Sequence, residues 1–359
     1  MPGRPFARRE EEEAEGPEAI THTPGLSRIT GGAPEGRRVS RAPMSTVESA
    51  VLPLAHLTYE EELAFRHGLV REAFRKGRVD AEVEPVIPSP LQRGYRARVR
   101  LRVGPGGKLG HFLPGTHTFT TVDLTQVARP EVAARASELD GKLPPGSTME
   151  LRSDGARVVV VTDARARVTG DALVAGKRIG DPGLRVGGLR VSPRSFFQVN
   201  LEINARIVAD VDAELLRLAP TRLLDLYAGV GNLSAPAVRR GVAATLVEQE
   251  RSSAEDARFN LPAAEVLTRD AGRWTAGERF FDVALLDPPR AGAPELLPTL
   301  TVTRPRAILY LSCDPVTLAR DVRQAIERRY RLVRVQPYDM FPGTEHVETL
   351  AILERVDVG

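Results

Sequence analysis

The hydrophobic pattern divides the 359-residue chain into three parts. Residues 1–45 mix charge runs with Gly and Pro and show almost no apolar periodicity. We expect a disordered tail there, because such a segment cannot bury enough apolar surface to offset its ordering entropy. Residues 46–190 contain short strand patterns, and residues 191–359 alternate buried strands with helices. The pattern therefore predicts two folded domains behind a polar tail.

The middle part, residues 46–190, predicts a small strand-rich α+β domain. An amphipathic helix is expected to begin after Thr58. The clearest strand is YRARVRLRV, which runs from Tyr95 to Val103 with strict alternation. In a strand its arginines share one face at a spacing of about 6.6 Å, since each residue rises about 3.3 Å. These arginines are Arg96, Arg98, Arg100 and Arg102.

Neighbouring guanidinium groups on this face repel one another. A phosphate backbone would neutralise them, so the pattern favours an RNA-binding face. A solvated edge with acidic neighbours is the alternative.

The final part, residues 191–359, predicts a parallel sheet covered by helices on both faces. Five strand patterns alternate with helix patterns up to RAILYLSC. The last two, RLVRVQPYDM and VETLAILERV, follow each other with no helix between them. We therefore expect these two strands to pair antiparallel and to complete an α/β fold.

Composition excludes several kinds of site. Cys313 is the only cysteine, so this chain cannot form a disulfide framework, a cysteine-ligated zinc site or an iron–sulfur cluster. The six histidines show no ligand spacing, so no metal is expected. We find neither a secretory pattern nor an apolar run near eighteen residues, and expect a soluble, cytoplasmic monomer without a membrane partner. A net charge of +3 permits a nucleic-acid partner without requiring one.

A glycine turn after the first strand of the final part is the candidate cofactor site. LLDLYAGVGN brings Asp225 and Gly229 to the end of that strand, and Glu248 ends the next one. A carboxylate there could accept hydrogen bonds from ribose hydroxyls. Ser234 stands where a dinucleotide fingerprint needs its third glycine, and no P-loop lysine follows. The turn favours an adenosine cofactor without a pyrophosphate, such as S-adenosylmethionine; a tight turn without a ligand is the alternative.

Six motifs in a fixed order carry a resemblance to a known family. They are SFFQVN, LLDLYAGVGN, LVEQE, LLDPPRAG, YLSCDPVTLARDV and DMFPGTEHVETL. Together they resemble the RNA 5-methyluridine methyltransferases, class I enzymes that use S-adenosylmethionine to methylate C5 of uridine. The match covers residues 191–359, with weaker similarity in IPSPLQRGYRARVRLRV. It implies a Rossmann-like methyltransferase domain with a mostly parallel seven-stranded sheet, and ribosomal or transfer RNA as partner.

The resemblance implies roles for individual residues. C5 of uracil is a weak nucleophile until a thiolate adds at C6, and Cys313 would supply that thiolate. Glu348 would remove the C5 proton. His346 is the second candidate for this base, because in a strand it would share the face of Glu348. We expect burial to raise the pKa of Glu348, and the helix after Cys313 to stabilise its thiolate. Cofactor contacts are implied for Gln198, Tyr227, Gly229, Asn232, Glu248, Asp270 and Asp287, while Phe196 and Phe197 are expected in the core.

The chain departs from the family pattern in its first part. Many relatives carry a barrel-like RNA-binding domain and four cluster cysteines, whereas this tail is polar and Cys313 stands alone. The compact size resembles the transfer-RNA branch, while SCDPVTLARD is closer to the ribosomal-RNA branch. Two alternatives remain, a non-catalytic RNA-binding protein on the same fold and a small-molecule methyltransferase. The pair Cys313 and Glu348 argues against the first, and the arginine strand argues against the second.

Because the chain has a single thiol, we predict a colourless protein that stays fully active after treatment with a chelator. Absorbance spectroscopy and metal analysis of the purified protein check this. Iron in a stoichiometric amount, or loss of activity on chelation, would contradict the composition argument.

Overall fold

The structure is a computed structural model that describes residues 52–113, 116–277, 279–294 and 303–356. The predicted tail, residues 1–45, lies outside these ranges. The helix predicted between LLDPP and RAILYLSC falls largely on residues 295–302, which also lie outside them.

Within the described ranges, the C-terminal part forms a seven-stranded sheet with helices on both faces. Its strands are β10 (Arg222–Leu226), β11 (Ala243–Glu248), β12 (Glu265–Thr268), β13 (Val283–Leu286), β14 (Ala307–Ser312), β15 (Tyr330–Tyr338) and β16 (Glu348–Arg355). The spatial order is β12-β11-β10-β13-β14-β16-β15, and the first five strands are parallel. Strand β16 pairs antiparallel with both β14 and β15, as the sequence predicts. The expected α/β fold is therefore confirmed.

Helices accompany these strands in the order that the pattern predicts. They are α3 (Leu201–Leu218), α4 (Ala235–Arg239), α5 (Arg251–Asn260) and α6 (Pro315–Ile326). Because these five strands are parallel, the loops that follow them all lie at the same edge of the sheet, the one formed by the carboxyl ends of the strands. That edge is where parallel sheets of this kind hold their ligands.

A second sheet of seven described strands lies earlier in the chain. The elements of this region are α1 (Tyr59–Lys76), α2 (Pro130–Leu139), β1 (Arg98–Val103), β2 (Leu109–Phe112), β3 (Phe119–Thr121), β4 (Thr148–Ser153), β5 (Val158–Thr162), β6 (Ala172–Val174) and β7 (Lys177–Ile179), followed by the hairpin β8 (Leu184–Val186) and β9 (Leu189–Val191). The sheet order is β3-β2-β1-β4-β5-β6-β7, mostly antiparallel. Its buried face, which includes Val99 and Leu101, packs against α2.

Helix α1 packs against the C-terminal sheet rather than against the nearer sheet in sequence. Thr58 caps the helix and Glu61 completes a capping box, an arrangement worth about 0.5–2 kcal/mol. Val70 and Phe74 are fully buried in the same cluster as residues of α6 and β14. The helix therefore belongs by contact to the C-terminal core, although its sequence lies within the range 46–190.

A buried charged network ties α1 to the segment that precedes β16. Arg66 is completely buried; its Nε donates to the carbonyl oxygen of Thr344 at 3.0 Å, and its Nη2 donates to that of Phe341 at 3.3 Å. Glu62 accepts from Arg66 at 2.9 Å and from the backbone N–H of Gly343 at 2.8 Å. The apolar pattern of this helix did not reveal these two buried charges. They hold the loop that leads into Glu348.

Among the described helices, none is both long and apolar enough to cross a membrane.

Candidate active site

Three neighbouring strand ends bring the candidate chemistry together. Asp287 follows β13 and Cys313 follows β14, and these strands are paired in register up to Leu286 and Tyr310. Glu348 is the first residue of β16, which runs the other way, with Ser312 opposite Thr349. The sheet order thus places the strand end that carries Cys313 between the strand ends that carry Asp287 and Glu348. Their mutual electrostatic influence, described next, agrees with this proximity.

The Glu348 carboxyl is buried and lacks a full set of partners. Its residue is 4% exposed, and Oε2 accepts no hydrogen bond from the described protein. Burial, reinforced by the nearby Asp287, raises the pKa of Glu348 well above its ordinary value. Burial likewise raises the pKa of Asp287. The direction of this shift agrees with the expectation for Glu348, whose role as a base stays a prediction.

The environment of Cys313 differs from the expected one. Burial, together with Glu348, Asp287 and Asp314, raises the pKa of the thiol to about 12, and Arg290 opposes them. Helix α6 begins at Pro315, but its first free N–H groups donate to the Asp314 side chain, at 2.9 Å from Val316 and Thr317. The capping carboxylate of Asp314 adds negative charge beside the thiol, and the expected stabilisation of the thiolate by this helix stays a prediction.

Arg290 is a charged neighbour of Cys313 and Glu348 that the sequence patterns did not single out. It lowers the pKa of both Cys313 and Glu348, and its guanidinium lies 3.3 Å from Nε2 of His346. Its loop is anchored to α6, since Asp321 accepts from the backbone N–H of Ala293 at 2.8 Å. The motif LLDPPRAG contains Arg290, but nothing in that motif alone indicates that its side chain turns towards the thiol.

His346 lies outside the strand on which it was expected. Strand β16 begins at Glu348, so His346 belongs to the preceding loop and shares no strand face with the carboxyl. Burial and the positive charges of Arg290 and Arg96 lower the pKa of His346 to about 4. A neutral imidazole of such low basicity is a poor acceptor for a proton at neutral pH.

The glycine turn after β10 forms an open cradle. Tyr227 adopts a left-handed backbone with φ of 61°, and Gly229 follows with φ of 55°. A Cβ at Gly229 would meet open space, while its N–H donates to Glu248 at 2.8 Å. Asp225 is buried below the turn, its Oδ2 has no hydrogen-bond partner among the described residues, and burial raises its pKa to about 7. These features fit a ligand with hydroxyl donors and positive charge.

The other predicted cofactor residues described next, Gln198, Asn232 and Asp270, differ in burial and in their hydrogen bonds. Gln198 lies partly buried just before α3. The Asn232 amide is already paired with Asn204 of α3, donating at 2.7 Å. Asp270 follows β12 and is half-exposed, where its carboxylate accepts from the N–H of Gly272. The structure thus gathers Tyr227, Gly229 and Glu248 at one turn and leaves Asn232 committed to a structural pair.

Three comparisons with known proteins identify the family. The model of the tRNA (Uracil-5-)-methyltransferase family matches residues 277–356. The 23S rRNA (uracil(1939)-C(5))-methyltransferase RlmD of Alkalilimnicola ehrlichii is 33% identical over 84% of this chain and 80% of its own length. The RlmD of Cronobacter sakazakii is 31% identical over 76% of this chain and 73% of its own. The chain belongs to the RNA uracil-C5 methyltransferase family.

A solved structure supports the same assignment. The tRNA (uracil-54, C5)-methyltransferase of Pyrococcus abyssi, in complex with S-adenosyl-L-homocysteine, superposes with a TM-score of 0.69 at 25% identity. The match covers 88% of this chain and 87% of that one. For this member of the uracil-C5 methyltransferase family, the likeness therefore extends across both sheets and not only over the C-terminal motifs.

The raised pKa of Glu348 predicts how the free energy of unfolding of this methyltransferase depends on pH. Between the ordinary pKa and the raised one, the folded protein binds more protons than the unfolded chain, so stability falls as pH rises through that window. Glu348→Gln removes this penalty. At pH 8 the variant should be more stable than the parent by about 1–3 kcal/mol, since one pKa unit is about 1.4 kcal/mol. At pH 4 the difference should vanish.

Urea unfolding at both pH values measures this effect, with the exposed Glu345→Gln as the matched control. A variant that is less stable at pH 8, or a stability difference that is the same at both pH values, would show that folding does not raise the pKa of Glu348.

Proposed function

We propose that this chain transfers a methyl group from S-adenosylmethionine to C5 of a uridine in structured ribosomal or transfer RNA, through a covalent bond between Cys313 and C6. The observation that carries the proposal is the meeting of one thiol and two carboxyl groups at three adjacent strand ends. The names of the relatives support the choice of a uracil ring in RNA.

The proposed cofactor fits the charges of the site. Asp287 and Glu348 both have raised pKa values, so a positive charge between them would favour their ionised forms. S-adenosylmethionine supplies an electrophilic methyl group on a positively charged sulfonium. We infer that Gly229 and Glu248 hold its adenosine end, and that Tyr227, Gln198 and Asp287 line the path to the thiol. We also assign Asn232 and Asp270 to this pocket, in supporting positions: the Asn232 amide is paired with Asn204, and the Asp270 side chain is half-exposed.

Cys313 begins the reaction by giving its thiol proton to the neighbouring Asp287 carboxylate, whose raised pKa makes it a stronger base, and its sulfur then forms a bond to C6. The π electrons of the C5–C6 bond move onto the ring as an enolate, which makes C5 nucleophilic. C5 then takes the methyl group and briefly carries both that group and its hydrogen. Glu348 removes the hydrogen as a proton, the C5–C6 double bond forms again and the bond between sulfur and C6 breaks. Arg290, which favours the anionic forms of Cys313 and Glu348, supports the start and the end of this sequence.

Glu348 is a better candidate than His346 for the base. The best catalytic pKa lies near the working pH, and Glu348 is shifted upwards from its ordinary value whereas His346 is lowered to about 4. His346 is in addition engaged by the Arg290 guanidinium. We therefore assign His346 an orienting role beside Arg290.

We assign RNA binding to the arginine strand, although its four arginines are not equally exposed. Arg100 and Arg102 are exposed on β1, whereas Arg96 and Arg98 are half-buried. Arg98 lies over the ring of Phe196 at 4.8 Å, and Phe196 is 52% exposed. The prediction that Phe196 packs in the core is wrong, while Phe197 is buried as expected. We infer that this strand lies in the smaller of two domains, residues 46–190, and that residues 191–359 carry the methyltransferase chemistry.

Replacing the base should stop the reaction after methyl transfer. In Glu348→Gln, thiolate addition and methylation proceed, but the C5 proton stays and Cys313 cannot leave. Loss of a general base typically costs about a hundred- to ten-thousandfold in rate. The adduct should therefore persist as a protein–RNA band on a denaturing gel when the variant is mixed with unmodified transfer or ribosomal RNA and S-adenosylmethionine.

Cys313→Ala in the same background must remove the band, and Glu345→Gln should turn over as the parent does. Normal turnover by Glu348→Gln, or a stall without a covalent species, would place the base elsewhere and make His346 the next residue to replace.

A further inference from the structure

The open face of the N-terminal sheet carries an aromatic pair beside the arginines. Arg102 pairs with Gly110 across β1 and β2, and Phe112 lies two residues beyond Gly110 on the same face. Phe112 in turn pairs with Phe119 across β2 and β3. The two rings meet edge to face with centroids 5.9 Å apart. Arginines and aromatic rings therefore share one surface.

Two glycines fix the inner ring of this pair. A Cβ at Gly104 would lie 2.5 Å from the Phe119 ring, and one at Gly110 would lie 2.8 Å from it. The ring accounts for the glycine at 104, whereas at 110 a Cβ would first meet the carbonyl oxygen of Thr120 on the paired strand. Phe119 is therefore held in place and supports Phe112, whose side chain remains 49% exposed. A half-exposed ring held in this way offers a flat apolar face on which another planar group can stack.

The charges on this face point to an anionic partner. Arg100 and Arg102 are exposed and make no ion pair with the described residues. The nearest acidic side chain by register is Glu150, opposite Arg100. Its carboxylate lies 3.5 Å from Arg152. The face therefore offers positive charge that is not neutralised within the described part of the protein.

A chain of contacts leads from this face to the thiol. Arg98 covers Phe196, and Arg96 lies over the ring of Phe341 at 5.7 Å. Phe341 packs edge to face against His346 at 5.9 Å. His346 contacts Arg290, which acts electrostatically on Cys313. These contacts connect Arg96, two residues before β1, through Phe341 and His346 with Arg290 at the catalytic strand ends.

We propose that Phe112, supported by Phe119, stacks an unpaired base of the substrate RNA next to the target uridine, while Arg100 and Arg102 bind the adjoining phosphates. The inference rests on the proposed function and adds to it the class of substrate: a single-stranded segment rather than a duplex. Stacking on a ring needs an exposed base face, which a paired helix does not offer, and every base can supply one.

The test compares binding of a short oligouridine strand with binding of an RNA duplex that has the same number of phosphates. Phe112→Ala should weaken oligouridine binding about fivefold to a hundredfold, the range that stacking of one base supplies. Its salt dependence should not change, because no phosphate contact is lost. Arg100→Gln with Arg102→Gln should instead reduce the salt slope by about 1.4, at about 0.7 for each single-strand contact. Duplex binding should be insensitive to Phe112→Ala.

Matched variants separate stacking from loss of structure. Phe112→Trp should bind oligouridine at least as tightly as the parent. Phe280→Ala, at a ring that is 66% exposed before the amino end of β13, should change nothing. Parental oligouridine affinity in Phe112→Ala overturns the inference and points to a protein partner for this face. Equal losses for strand and duplex, or no binding of oligouridine by the parent, overturn it too.

The inference and the proposed function fail in different ways. If Phe112→Ala binds oligouridine as the parent does while Glu348→Gln still traps an adduct, only the stacking role is lost. If no adduct forms with any RNA, the catalytic proposal itself fails.

Discussion

The burial of two carboxyl groups beside a single thiol is the constraint on which the rest of the structure depends. Burial disfavours the charged forms of Asp287 and Glu348, and a neighbouring carboxylate adds to it, Glu248 for Asp287 and Asp287 for Glu348. Cys313 shares their environment. Such an arrangement costs folding free energy, because an isolated charge in a protein interior is poorly solvated. The fold must therefore hold these groups in place by other means. Arg290 supplies part of the compensation as a nearby cation.

The anchoring of the surrounding loops also compensates for this cost. Arg66 and Glu62 of α1 bind the backbone of the segment before Glu348, and Asp321 of α6 binds the backbone after Arg290. Breaking a buried ion pair by removing one partner typically costs about 3–5 kcal/mol. These contacts therefore hold the two loops in place, so that Asp287 and Glu348 stay buried instead of moving towards solvent. Helix α1, remote in sequence, is part of the active-site support.

Much of the fold could be predicted from the sequence because local patterns determine it. The alternation of buried strands and helices gave the parallel sheet, and the missing helix between RLVRVQPYDM and VETLAILERV gave the antiparallel pair. Long-range electrostatics could not be read in this way. The capping of α6 by Asp314, the approach of Arg290 to His346 and the burial of Arg66 depend on side chains that meet only after folding. The exposure of Phe196 has the same origin, since its ring lies in a loop where Arg98 of β1 packs over it.

The most direct test of the account is nucleoside mass spectrometry of unmodified transfer and ribosomal RNA after incubation with the purified protein and S-adenosylmethionine. The account predicts that 5-methyluridine appears in one of the two RNAs, that the methyl group resides on C5, and that Cys313→Ala forms none. A methyl group on another atom, or 5-methyluridine formed in the absence of the Cys313 thiol, would contradict it.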